Sequence, residues 1–125
     1  MTDHPIVHVE FSAEDREAAG KFYQELFDWK VQQMAEMNYA TFDTGSIGGG
    51  LNPVQENFPA GTVTVYVHTD DITATLAKAE SLGGKILTPK SEIPGVGWFG
   101  FFADPTGNEI GLLTQLSTAP KQASG

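Results

Sequence analysis

The chain has no cysteine among its 125 residues. That excludes disulfides, thiolate metal sites and cysteine nucleophiles together. Basic residues are also scarce: seven Lys and Arg stand against sixteen Asp and Glu, for a formal net charge of −9. Such a surface repels phosphate backbones, and neither a basic run nor a zinc-finger spacing is present. Nucleic-acid binding is therefore excluded as the main role, and an anionic membrane surface is disfavoured. No apolar run approaches the ~20 residues that a bilayer-spanning helix needs. Met1-Thr2-Asp3-His4-Pro5 lacks a basic region followed by an apolar stretch, so no signal peptide is expected. These absences point to a cytoplasmic protein with no membrane and no nucleic-acid partner. What is present is ordinary for a globular chain: 40% hydrophobic and 18% charged residues, at a length that suits one domain over 1–125.

Ile6 to Phe11 alternates, with Val7, Val9 and Phe11 on one face and Ile6, His8 and Glu10 on the other. That is strand period. Ser12 is a candidate N-cap, or lies one turn before it, for a helix over Asp15 to Phe27, in which Ala18, Ala19, Phe22, Tyr23, Leu26 and Phe27 recur at helical spacing. Short strands follow at Lys30 to Met34 and Tyr39 to Asp43. Gly48-Gly49-Gly50 then marks a turn and a strand bare of side chains. Pro53 to Gly61 reads as a loop. Thr62 to His68 alternates again, Asp71 to Leu82 is helical, and Gly83-Gly84 ends that helix. Strands are expected near Lys85 to Thr88, Trp98 to Ala103 and Glu109 to Thr114, with a turn at Asp104-Pro105-Thr106-Gly107.

The order β-α-β-β-β therefore occurs twice: module one over about 6–52, a linker over 53–61, module two over 62–115, and a frayed tail over 116–125. Setting Asp15 against Asp71 brings His8 against Thr64 and Glu10 against Tyr66. Gly50-Leu51 falls against Gly111-Leu112.

His8-Val9-Glu10-Phe11, Phe22-Tyr23, Leu26-Phe27-Asp28-Trp29, Gly48-Gly49-Gly50-Leu51 and Asp104-Pro105-Thr106-Gly107-Asn108 form an ordered set. That set resembles the glyoxalase, bleomycin-resistance protein and extradiol dioxygenase superfamily, the vicinal oxygen chelate proteins, over about Ile6 to Gln115. The resemblance implies an α+β fold of two tandem βαβββ modules. Their mixed β-sheet would curve into a half-open cup with the helices outside, usually in a homodimer. It also implies that Phe22, Tyr23, Leu26 and Phe27 pack between helix and sheet as core.

Metal-dependent members take ligands from the first and last strands of each module. By position, those places are His8, Gly50, Thr64 and Gly111, of which only His8 is an ordinary ligand. A usefully held divalent ion needs about three protein donors. A divalent metal is thus disfavoured, no cofactor is expected, and His8 is a weak metal candidate at most.

Glu10 lies two residues after His8 on the same strand face, where Cβ positions stand about 7 Å apart. An unpaired buried carboxylate is costly, so Glu10 is expected at a wet pocket or paired with His8 or Lys30. The expected ligand-lining set is His8, Glu10, Gly50, Thr64, Tyr66, Glu109 and Gly111. Within it, His8, Glu10 and Tyr66 are the candidates for acid–base work. His4 and His68 are given no role. Trp98 and Phe99, beside Gly95 and Gly97, suit a flap, an interface or plain core. Gly48-Gly49-Gly50 is no phosphate loop, because no Lys-Ser/Thr follows and no helix starts there.

Two readings of function remain. In the first, the protein binds a small molecule in the cup without metal, resembling the bleomycin-resistance branch. In the second, it is a metal-dependent lyase or isomerase resembling glyoxalase I, or a dioxygenase-like enzyme. Glyoxalase chemistry needs a metal to polarise an enediolate while a carboxylate moves a proton, and the inherited donors for that metal are missing.

Overall fold

A computed structural model describes residues 4–116. The tail expected to fray lies outside the described residues, apart from Leu116. The described residues form two compact units, one of Ile6–Val65 and one of Tyr66–Leu116 together with His4 and Pro5. The architecture is α+β, with eight strands and two α-helices among the described residues.

The first unit contains β1 (Ile6–Ala13), α1 (Arg16–Phe27), β2 (Lys30–Met34), β3 (Tyr39–Asp43) and β4 (Gly48–Pro53), with a 3-10 turn at Ala35–Met37 before β3. Its strands lie in the order β2-β3-β4-β1. β1 and β4 run parallel, with Glu10 beside Gly50 and Ser12 beside Asn52, and the other pairs are antiparallel. A parallel neighbour requires a crossover, which α1 and the β2–β3 hairpin provide. β5 (Val63–His68) begins in the first unit and ends in the second, which continues with α2 (Ile72–Ser81), β6 (Lys85–Ile93), β7 (Gly97–Ala103) and β8 (Glu109–Gln115). The order here is β5-β8-β7-β6, with β5 and β8 parallel. The mixed eight-stranded sheet stays open and does not close into a barrel: β2 and β6 each pair on one side only. The twice-repeated order is thus the one the sequence predicts.

Both helices start at an aspartate. Asp15 accepts from the backbone N–H of Glu17 at 3.1 Å and of Ala18 at 3.0 Å. Asp71 accepts from Ala74 at 3.0 Å. These bonds satisfy N–H groups that have no partner inside the helix. Asp15 is therefore the cap of α1, and Ser12 lies one turn before it, the second of the two places expected for it. Ser12 instead accepts from the Thr62 N–H at 3.2 Å.

Each helix covers one sheet face. In the first unit the core is Ala13, Ala40, Phe42 and Leu51, with Phe11, Ala19, Tyr23, Trp29 and Val31 packed on it. In the second it is Ile72, Leu76 and Leu112, with Val67, Ile86, Trp98 and Phe102 around them. Trp98 is thus a strand residue on the core, with the Lys90 ammonium 4.7 Å from its ring centre.

The expectation for α1 needs correction. Phe22, Leu26 and Phe27 are each more than half exposed, and only Tyr23 of the four aromatic and aliphatic residues packs into the core. The cause is Gly20, where an added Cβ would lie 2.9 Å from Gln33 Nε2 and Val31 Cγ1. The helix sits so close to β2 at that point that its contact narrows to the arc of Ala19, Gly20 and Tyr23.

Candidate functional site

The face of the first sheet opposite α1 carries His8 and Glu10 on β1, Gly50 and Asn52 on β4, and Tyr39 on β3. The strand order β3-β4-β1 puts β4 between Tyr39 and Glu10. Strands are spaced about 4.8 Å apart, so a side chain on β3 reaches β1 only by passing over β4. Gly50 permits this. A Cβ added there would stand 1.8 Å from the Tyr39 phenol oxygen and 2.2 Å from the ring carbon that bears it. The phenol occupies the space that any side chain at position 50 would need.

Having crossed β4, the Tyr39 hydroxyl donates to Glu10 Oε2 at 2.8 Å. It also lies 3.1 Å from His8 Nε2. A phenol has one proton to donate. With that proton directed at Glu10, the phenol oxygen is able to accept from an N–H at His8 Nε2. Asn52 Nδ2 donates to the other carboxylate oxygen, Glu10 Oε1, at 3.2 Å. His8 Nε2 stands 3.4 Å from Glu10 Oε2. Glu10 is 9% exposed, so bonds from Tyr39 and Asn52 offset a desolvation that would otherwise be costly. Of the two side chains expected beside Glu10, His8 stands within ion-pair distance. The two side chains converge well inside their Cβ spacing because both are long enough to lean together.

Thr64 is buried on β5. In the second unit Tyr66 is buried and rests on Gly111, where an added Cβ would fall 2.5 Å from its ring. Phe101 meets Tyr66 edge-on, with centroids 5.4 Å apart. Glu109 stands exposed at the start of β8, opposite Ala103. The structure thus joins His8, Glu10 and Gly50 in one cluster, joins Tyr66 to Gly111, and leaves Glu109 at the surface. Tyr39 and Asn52 were not foreseen as site residues. Their side-chain parity on β3 and β4 was readable, but their place depends on strand order.

The donors present do not fit the inherited metal site. Gly50 and Gly111 have no side chain, and tyrosine rings fill the space where one would project. Among the described residues no three His, Asp or Glu side chains converge in a metal-binding group.

A family model for the glyoxalase/bleomycin resistance protein/dioxygenase superfamily matches residues 5–112. The chain belongs to this superfamily. It is 31% identical over 119 residues to a glyoxylase-like domain-containing protein of Didymella fabae, covering 88% of this chain and 93% of that one. It is 30% identical over 118 residues to CFP32, a glyoxylase by name, of Mycobacterium bovis, covering 83% of this chain. The chain spans only 43% of the length of that mycobacterial relative. The same fold occurs in a hypothetical protein of Bacillus halodurans C-125, with a TM-score of 0.76 and 12% identity over 94% of this chain and 99% of that one. It occurs also in methylmalonyl-CoA epimerase of Mycobacterium tuberculosis, with a TM-score of 0.68 and 16% identity over 97% and 92% of the two chains. No helix among the described residues is long and apolar enough to cross a membrane.

Proposed function

We propose that this superfamily member binds a small organic molecule at the His8–Glu10–Tyr39–Asn52 cluster, without a metal ion. The observation that supports this reading is the Tyr39 phenol lying over Gly50. It fills the space of a fourth-strand side chain and ties imidazole to carboxylate through hydrogen bonds. A cluster of one acid, one imidazole, one phenol and one amide orients a ligand by its hydroxyl, amino or carbonyl groups, as the few polar groups of small-molecule sites do. His8, with its side chain 24% exposed, is the member that meets an incoming ligand. The proposal extends to a homodimer in the cytoplasm.

The test has two arms. Nickel, zinc, iron and manganese are quantified in the purified protein and in His8→Ala. Less than stoichiometric metal in both is expected, and stoichiometric metal lost in the variant overturns the reading. A thermal-shift screen then uses thiol conjugates and peptide antibiotics, since a ligand of the native state raises the melting temperature. The shift should vanish in Glu10→Gln and Tyr39→Phe. A shift unchanged in both variants rules out this cluster.

The same groups support a catalytic reading, because the hydrogen-bonded chain from His8 through Tyr39 to Glu10 is a route for a proton. Turnover of a bound ligand that is lost in His8→Ala and Glu10→Gln, while binding persists, would favour an isomerase or lyase.

A further inference from the structure

A second cleft lies in the other unit, between α2 and its sheet, and the first unit shows what shape it lacks. Aligning the caps Asp15 and Asp71 sets Phe11 on β1 against Val67 on β5 and Tyr23 against Ala79, and the strand register sets Trp29, just before β2, against Gly84, just before β6. Phe42, opposite Gly49, corresponds to Phe102, opposite Ile110. In the first unit the Tyr23 ring stands 5.5 Å from Phe11 and stacks 5.3 Å from Trp29, which stacks in turn on Phe42 at 4.9 Å. In the second unit only Phe102 keeps its ring. Valine, alanine and glycine stand for phenylalanine, tyrosine and tryptophan.

The missing volume is not refilled. A cleft of about 390 Å³ remains, walled by Val67, Ala79, Leu82, Phe102 and Leu112. An apolar cavity of about 150 Å³ already admits benzene, and ligand pockets begin near 300 Å³.

Three titratable side chains also line it: His4, Lys78 and Asp104. Asp104 is engaged by its own turn. Its Oδ1 accepts from the backbone N–H groups of Thr106, Gly107 and Asn108 at 3.0, 2.9 and 2.9 Å, and its Oδ2 accepts from Asn108 Nδ2 at 2.9 Å. These bonds, the Asn108 side chain foremost, hold its carboxyl below the usual range. His4 Nδ1 lies 2.9 Å from the His68 carbonyl oxygen. Lys78 stands where α1 has Phe22, and its ammonium enters neither of the ion pairs among the described residues.

We infer that this cleft binds a small aromatic anion, its ring taking the place that Tyr23 fills in the first unit and its charge meeting Lys78. The site is separate from the His8–Glu10–Tyr39 cluster and does not depend on the function proposed for it.

Indole-3-acetate and its neutral analogue tryptophol, titrated into the full chain and followed by NMR, test this. Saturable shifts centred on Val67, Ala79, Phe102 and Leu112 are expected for both probes. Ala79→Tyr supplies the ring in cis and should weaken both probes at least tenfold, while Ala79→Leu gives a partial loss in a smaller substitution. Lys78→Gln should weaken indole-3-acetate by up to about fivefold, the range of one exposed charge pair, and leave tryptophol within twofold. Glu10→Gln should change neither. Absence of saturable shifts, shifts centred elsewhere, or full affinity in both Ala79 variants overturns the inference. Equal loss of both probes in Lys78→Gln overturns the anion preference.

Discussion

The two units share one order of elements but place their bulk at opposite ends of the helix. α1 offers Arg16 and Gly20 near its start and Tyr23 toward its end. α2 offers Ile72 and Leu76 near its start and Ala79 toward its end. The sheets answer in kind. Gly100 on β7 lets α2 approach at its start, since an added Cβ would lie 3.0 Å from Ile72 Cγ2 and 3.3 Å from Leu76 Cδ1. Each unit is open at its thin end: a cleft of about 270 Å³ lies beside Ala13, Arg16 and Pro53 at the start of α1, and the larger one lies beside Ala79 and Leu82 at the end of α2. The difference teaches that period and caps set the element order, whereas the position of a few large side chains decides where helix meets sheet and where a void is left. The cleft of the first unit is lined largely by charged groups, and Arg16 there already donates to Gln33 at 2.6 Å and Asn38 at 3.2 Å. The cleft of the second unit is apolar.

The largest expected effects come from the matched core leucines. Leu51 and Leu112 are each almost fully buried, and Leu→Ala at such sites costs about 2–5 kcal/mol. Leu112 borders the open cleft, so it has fewer partner atoms to lose. Leu51→Ala should therefore destabilise more than Leu112→Ala in urea titrations. Equal or reversed costs would show that the cleft closes in solution.

Next come the matched glycines. Gly50→Ala forces a methyl onto the Tyr39 phenol, and Gly111→Ala forces one onto the Tyr66 ring, each an overpacking of about 1–3 kcal/mol. Adding Tyr39→Ala should rescue Gly50→Ala, giving a coupling of about 0.5–3 kcal/mol in a double-mutant cycle, and should not rescue Gly111→Ala. Additive costs in the first pair would mean that the phenol does not lie over Gly50.

The sequence carried this duplication in its alternation and in the two aspartates that begin the helices, because each signal is local. β6 runs past the expected Thr88 to Ile93, since Pro89 reads as a break in isolation but is tolerated on an edge strand. The apolar period of α1 could not say which arc meets the sheet. Gly20 decides that by letting the helix approach, and Phe22 and Leu26 are left outside. His8, Glu10 and Gly50 were legible from strand parity together with a family resemblance. Tyr39 was not, because its reach to Glu10 requires β4 to lie between β3 and β1 and requires a glycine at the crossing point. Neither fact is local to Tyr39.

The smallest effects distinguish the two helix starts. Asp15→Ala and Asp71→Ala each remove a cap, ordinarily a cost of about 1 kcal/mol. The starts are not equally supported. Asp15 takes two backbone N–H groups, and α1 buries only Gly20 fully. Asp71 takes one, while the Thr75 hydroxyl donates to its carbonyl at 2.8 Å and Thr69 Oγ1 accepts its N–H at 3.2 Å. Ile72 and Leu76 also anchor the first turns of α2 in the core. Asp15→Ala should therefore cost more than Asp71→Ala, and Asn at either position should recover most of the loss because its amide oxygen accepts the same bonds. Urea titrations of the four variants measure this. A larger cost at Asp71 would mean that the buried start of α2 depends on its cap more than on its packing, contrary to the contrast between the two helices.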